Sequence, residues 1–146
     1  MAPAMTLLGP VDKIVDPSVV AGFVPGAAED DITRHLLRPH FAADRESLLL
    51  AGFDAFDRLV RLERAGGDDA RRCNIPSRCW RALLDHGVVT VLMAHNHPSN
   101  IALPSDADIA TTRETALFLR VMGIELVDHR IFVASGHFSF RSAEML

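Results

Sequence analysis

The chain has 146 residues, 49% of them hydrophobic, and a formal net charge of −4. That length fits one domain with a core that needs no staples, and the hydrophobic content excludes global disorder. The acidic balance offers no general attraction to nucleic acid or anionic membrane. No apolar run reaches transmembrane length and no basic region of a signal peptide opens the chain, so a cytoplasmic protein is expected. Cys73 and Cys79 stand six apart. That spacing matches neither a redox pair nor a zinc knuckle, and reduced thiols flanking a helix are expected.

Residues 1–26 carry prolines at 3, 10, 17 and 25. They read as a weakly ordered arm, with Leu7, Leu8, Val19, Val20 and Phe23 apolar enough to dock on the chain's own domain or on a partner. Residues 26–41 read as a helix with an acidic start at Asp30 and Asp31, an apolar face through Ile32, Leu36 and Leu37, and a stop at Pro39. Residues 47–53 and 58–63 flank a turn at 54–57 and read as a hairpin. Residues 66–69 read as a loop. A helix is expected over 76–86, with Pro76 in its first turn, Cys79, Trp80, Leu83 and Leu84 on its apolar face and Gly87 as its end. Residues 88–93 are short, apolar and β-branched, the pattern of a buried strand. Residues 105–122 form the clearest helix, with Ile109, Thr112, Ala116, Leu119 and Met122 at helical spacing and Gly123 as terminator. A strand over 124–134, a turn at Ser135 and Gly136, and a last strand over 137–141 complete the order. The fold class is α/β (α+β): a mixed β-sheet flanked by helices, in one domain over 27–146 after the arm of 1–26.

The chemistry gathers after the buried strand, in Ala94-His95-Asn96-His97-Pro98-Ser99 and Pro104-Ser105-Asp106-Ala107-Asp108. In extended chain, residues i and i+2 project to one side about 6.6–6.8 Å apart. His95 and His97 can therefore converge on one ion at metal–nitrogen distances of about 2.0–2.1 Å. Pro98 turns the chain out of the sheet. Ser105 is a helix N-cap candidate, and Asp108 falls at N3 of the same helix. Two imidazoles and one carboxylate make a three-ligand zinc set with an open position, the arrangement of a catalytic site. Asp108 has a competing use as an N3 cap. Arg58, Arg61, Arg64, Arg71, Arg72, Arg78 and Arg81 form the one basic concentration; strict alternation does not bring the strand arginines to one face, and a solvated surface is expected.

The pattern H-x-H-P, six residues, S-x-x-D resembles the metal signature of the JAB (JAMM/MPN) metallopeptidase superfamily. The wording Ala-His-Asn-His-Pro-Ser resembles its bacterial RadC branch. The resemblance extends over about residues 27–146, through Asp44-Arg45-Glu46, Ile75-Pro76-Ser77-Arg78, 126–132 and 138–141. It departs at Asn100, where the RadC-like wording has Gly; Asn is the residue that best tolerates left-handed backbone after Gly.

The resemblance implies a JAB/MPN-type (cytidine-deaminase-like) fold and a zinc-dependent peptidase or isopeptidase acting on an unidentified peptide or protein. It implies one Zn2+ with a bound water on His95, His97 and Asp108. It implies Glu46 as the general acid/base and Ser105 as a donor to the developing oxyanion. By the residues alone, Glu46 is not preferred over Glu63 or Glu125, and Ser105 is equally a helix cap. Two other readings stand beside this one. One is a DNA-repair-associated accessory protein, which carries an old label of RadC-like proteins but which the acidic charge does not support. The other is a metal-binding or metal-free scaffold that has lost activity. No membrane partner is expected, and a homo-oligomer is compatible with the sequence. Asp128-His129 reads first as a hydrogen-bonding pair of the sheet and second as a support for the metal ligands. His35, His40, His86 and His137 read as ordinary, and Trp80 as core.

Overall fold

A computed structural model of the protein describes residues 20–65, 75–84 and 87–146. The arm up to residue 19, the loop at 66–69, Arg71, Arg72, Cys73 and His86 lie outside them. Among the described residues no helix is long and apolar enough to cross a membrane.

Six strands form one mixed sheet. They are β1 (Phe23–Pro25), β2 (Leu48–Phe53), β3 (Leu59–Ala65), β4 (Thr90–Asn96), β5 (Glu125–Val133) and β6 (Gly136–Ser139), in the spatial order β1-β6-β5-β4-β2-β3. Only β4 and β5 run parallel. They are joined by the helix α2 (Asp106–Val121), and α1 (Ser77–Leu84) precedes β4. The expected hairpin is β2–β3, paired from Leu48↔Ala65 to Phe53↔Leu59. The three residues of β1 pair with β6, so the end of the proline-rich arm is an edge strand on this domain.

Alternation decides which face each residue serves. Leu48, Leu50, Val91 and Met93 point to one face and pack with Cys79 and Leu83 of α1 and Leu119 of α2. Leu49, Ala51, Leu92, Ala94 and Phe132 point to the other and pack with Leu37. Strand β2 is buried at every position. This is why the sequence there is a near-continuous apolar run rather than an alternating one.

Two elements differ from their predicted form. Residues 26–41 do not make a single helix: they form a 3-10 turn (Gly26–Ala28), a π-helical segment (Ile32–Leu37) and a second 3-10 turn (Arg38–His40). Glu29 breaks the run with extended backbone at ψ 142°. Its side chain instead reaches Arg38 and His137, and Asp30 accepts from the Thr33 N–H at 2.8 Å. Strand β4 runs past Met93 to Asn96. Polar residues there look like loop, but their backbones still pair with β5, His95 opposite Ile131 and Asn96 opposite Phe132.

Candidate metal centre

Strand β4 delivers His95 to the face covered by α2, and His97 follows just beyond the strand end. The i, i+2 relation brings the two rings to 4.8 Å between centroids, almost perpendicular at 89°. His97 is held in orientation from both sides. Its backbone N–H donates to the Phe132 carbonyl at 2.9 Å, and its Nδ1 lies 2.8 Å from the Ile101 carbonyl. A carbonyl oxygen only accepts, so Nδ1 carries the hydrogen and Nε2 is the atom turned to the centre.

Glu46 comes from the segment ahead of β2. Its Oε2 lies 2.7 Å from Nε2 of His95. The ligand atoms of Glu46, His95 and His97 all lie within 4.8 Å of one another, which makes them a group able to hold a metal ion. Asp108 adjoins this group through both histidines: Oδ2 is 3.2 Å from His97 Nε2 and Oδ1 is 3.6 Å from His95 Nδ1. The same carboxylate also completes a reciprocal capping box. Ser105 Oγ accepts from the Asp108 N–H at 3.0 Å, and Asp108 Oδ2 accepts from the Ser105 N–H at 2.9 Å. A carboxylate has about four acceptor sites, so capping and facing the imidazoles are compatible.

Burial pushes the His95 imidazole below its ordinary pKa, against the opposing pull of Asp108 and Glu46. For His97 burial acts the same way, but the Asp108 carboxylate and the Ile101 carbonyl outweigh it and the pKa is raised. The chemistry of the donor set fits a zinc-type ion. Among the described residues the buried Nδ1 of His95 has no hydrogen-bond partner, with Asp108 Oδ1 beyond hydrogen-bond reach at 3.6 Å.

Asp128 takes the sheet role that its sequence context suggests. Oδ1 accepts from the His129 and Arg141 N–H groups, and Oδ2 from the Arg130 side chain and the Ser139 hydroxyl. His129 goes elsewhere. Its ring stacks on Phe140 at 4.8 Å and stands 5.9 Å from the ring of His95. Thr112 Oγ1 donates to the Asp108 carbonyl and receives His129 Nδ1, both at 2.6 Å. Thr112 reads from sequence as one more position on the helical face. The signal that marks it is a polar residue on an otherwise apolar stripe, which needs a partner when buried. Away from the centre, Arg58 and Arg61 pair with Asp54 and Glu63 at 2.9 and 2.6 Å, as expected of a solvated face.

Asn100 adopts φ +64°, the left-handed backbone that Gly adopts most readily and Asn next. Its N–H donates to the His97 carbonyl at 3.0 Å and its Oδ1 accepts from the Ala134 N–H at 3.1 Å. Asn100→Ala is therefore expected to cost about 1–3 kcal/mol, from the strained conformer and the lost bond together. Asn100→Gly loses only the bond and costs under about 1.5 kcal/mol. Urea denaturation of both variants checks the order; a glycine variant less stable than the alanine one contradicts the backbone argument.

The sequence also matches a known family. The family model described as the RadC-like JAB domain matches residues 28–145. A UPF0758 protein of Burkholderia mallei is 38% identical over 122 residues, covering 82% of this chain and 42% of the relative. UPF0758 proteins of Burkholderia thailandensis and Burkholderia cenocepacia are 36% and 32% identical, covering 82% and 84% of this chain and 44% and 46% of the relatives. The chain thus spans less than half the length of these curated relatives. Extended over nearly all the described sheet and across the histidine, serine and aspartate positions of the centre, the match makes the chain a member of the RadC-like JAB domain family.

Proposed function

We propose that the protein is a zinc-dependent hydrolase of peptide or isopeptide bonds, with the ion on His95, His97 and Asp108. The observation that carries this is the convergence of Glu46, His95 and His97, with Asp108 against both imidazoles. An ion of this kind supplies an activated water near neutral pH and polarises a carbonyl. His97 is oriented for ligation by the Ile101 carbonyl, and Asp108 is fixed at the helix start by its capping bonds. Glu46 is the group that accepts the proton of the attacking water and returns it to the leaving amine; its side chain is 30% exposed, open enough to meet a substrate. Ser105 is exposed at the mouth of the helix. Its oxygen accepts from Asp108, so its own hydrogen is left to donate to a developing oxyanion.

A second reading follows from the same convergence: Glu46 as the third ligand, in a metal-binding scaffold without an acid/base. One experiment separates the two. Untagged protein purified without chelator is assayed for zinc by elemental analysis. About one zinc per chain is expected in the wild type and in Glu46→Gln, and none in the His95→Ala/His97→Ala variant. Loss of zinc from Glu46→Gln favours the scaffold. A wild type that holds no zinc and takes none up on addition overturns both.

A further inference from the structure

Asn96 lies between the two histidines and, by alternation, on the opposite face of β4 from His95. That face is apolar, built from Leu92, Ala94 and Phe132. A carboxamide buried there must be hydrogen-bonded or it costs stability. The Asn96 side chain finds its partners in the segment that leads to β2. Its Nδ2 donates to the Ala42 and Arg45 carbonyls at 3.0 and 2.8 Å. Its Oδ1 accepts from the Ser47 N–H at 2.7 Å, and its backbone N–H donates to the Ser47 carbonyl at 3.3 Å.

The Arg45 carbonyl and the Ser47 N–H belong to the two peptide groups on either side of Glu46. One buried side chain therefore grips both bonds about which the Glu46 backbone could swing. On the other face of the strand, Glu46 Oε2 lies 2.7 Å from the imidazole of the preceding residue, His95.

We propose that Asn96 is the positioning residue for Glu46, fixing its carboxylate over the metal centre from the far side of the sheet. This rests on the role given to Glu46 above. Its test needs neither metal nor substrate, so its failure leaves the zinc reading standing and the zinc assay leaves this one standing.

The test is NMR of the imidazole N–H groups in metal-free protein. In the wild type, His95 Nε2–H bonded to Glu46 and His129 Nδ1–H bonded to Thr112 should both give slowly exchanging signals. Glu46→Ala assigns the first by removing it. Asn96→Ala is expected to lose the His95 signal and keep that of His129, which serves as the internal marker of an intact fold. A purely structural role for Asn96 keeps both signals or loses both together. A His95 signal that persists in Asn96→Ala, or that is missing from the wild type, overturns the proposal. If Asn96→Ala does not fold, hydrogen exchange on the wild type decides. The Ser47 amide, bonded among the described residues only to Asn96, should exchange with the amides of β2 and β4, at least about tenfold slower than an open loop amide; exchange at the loop rate overturns the proposal.

Discussion

Glu29→Ala is expected to destabilise the protein by about 2–4 kcal/mol, below the full cost of breaking a buried ion pair because Arg38 is 30% exposed. The Glu29 side chain is 2% exposed. Its carboxylate takes Arg38 in two bonds, Nε to Oε1 at 3.0 Å and Nη2 to Oε2 at 2.6 Å, and His137 Nδ1 at 2.7 Å. Arg38 continues to the carbonyls of Val133 and Gly136 at 2.9 and 3.1 Å and lies 5.0 Å from the centre of the Phe132 ring. One cluster thus ties the residues on either side of the π-helical segment to the ends of β5 and β6 at their turn. Removing the carboxylate leaves a guanidinium partly buried with no counter-charge. Glu29→Gln keeps the side-chain shape and one oxygen acceptor for Arg38 and should cost less. Urea denaturation at pH 7 measures both, and equal costs would show that charge rather than shape governs the cluster. The sign with pH follows from Glu29. Burial alone would raise its pKa, but Arg38 and His137 together lower it. The stability it contributes is present above the ordinary value of 4.5 and is lost as pH falls through the lower folded value.

This cluster also marks where a sequence stops being readable. Glu29 and His137 are 108 residues apart, and no local pattern links them; His137 reads as ordinary. Glu29 makes that contact from extended backbone, where periodicity alone predicts helix. By contrast, β2 and β4 are legible because burial on both faces writes an unbroken apolar run, Leu48 to Phe53 and Val91 to Ala94, and α2 because burial of one face writes a helical period from Ile109 to Leu119. His95 and His97 are legible because residues two apart in extended chain face one way. Asp108 is legible through its helix-start offset from Ser105. Glu46 is not: its place depends on strand pairing between β2 and β4, and only the family resemblance separates it from Glu63 and Glu125. Asn96 occupies the free position of H-x-H and carries no signal until the strand is known to continue past Met93. Its polarity on an apolar face then becomes informative.

Metal-free protein is expected to lose stability steeply in acid, and His129 is the main reason. Its ring is fully buried between Phe140 and the ring of His95. Burial is the largest influence on it, the neighbouring His95 adds to the effect, and the imidazole pKa is pushed down to about 3. Nδ1 donates to Thr112 and Nε2 has no partner, so the folded protein holds the ring neutral. The unfolded chain takes up a proton at the ordinary 6.5. Folded pKa below unfolded pKa means that the stabilisation is complete above 6.5. It declines by about 1.4 kcal/mol per pH unit below that, until the folded ring itself protonates near 3. At pH 4.5 the loss is of order 2–3 kcal/mol, a large share of a marginal domain's stability. His137 and His95 are lowered as well and steepen the total, whereas the raised His97 works against them, stabilising the fold in acid and losing that contribution as pH rises. The share of His129 is isolated by difference. Urea stability is measured from pH 7 to pH 4.5 in the presence of chelator, for the wild type and His129→Gln. The variant can still donate to Thr112 but does not titrate, so it starts less stable at pH 7 and the gap narrows, or reverses, as pH falls. Parallel curves would mean that the buried ring is protonated in the folded state with no penalty, and that the orphaned Nε2 has a partner after all.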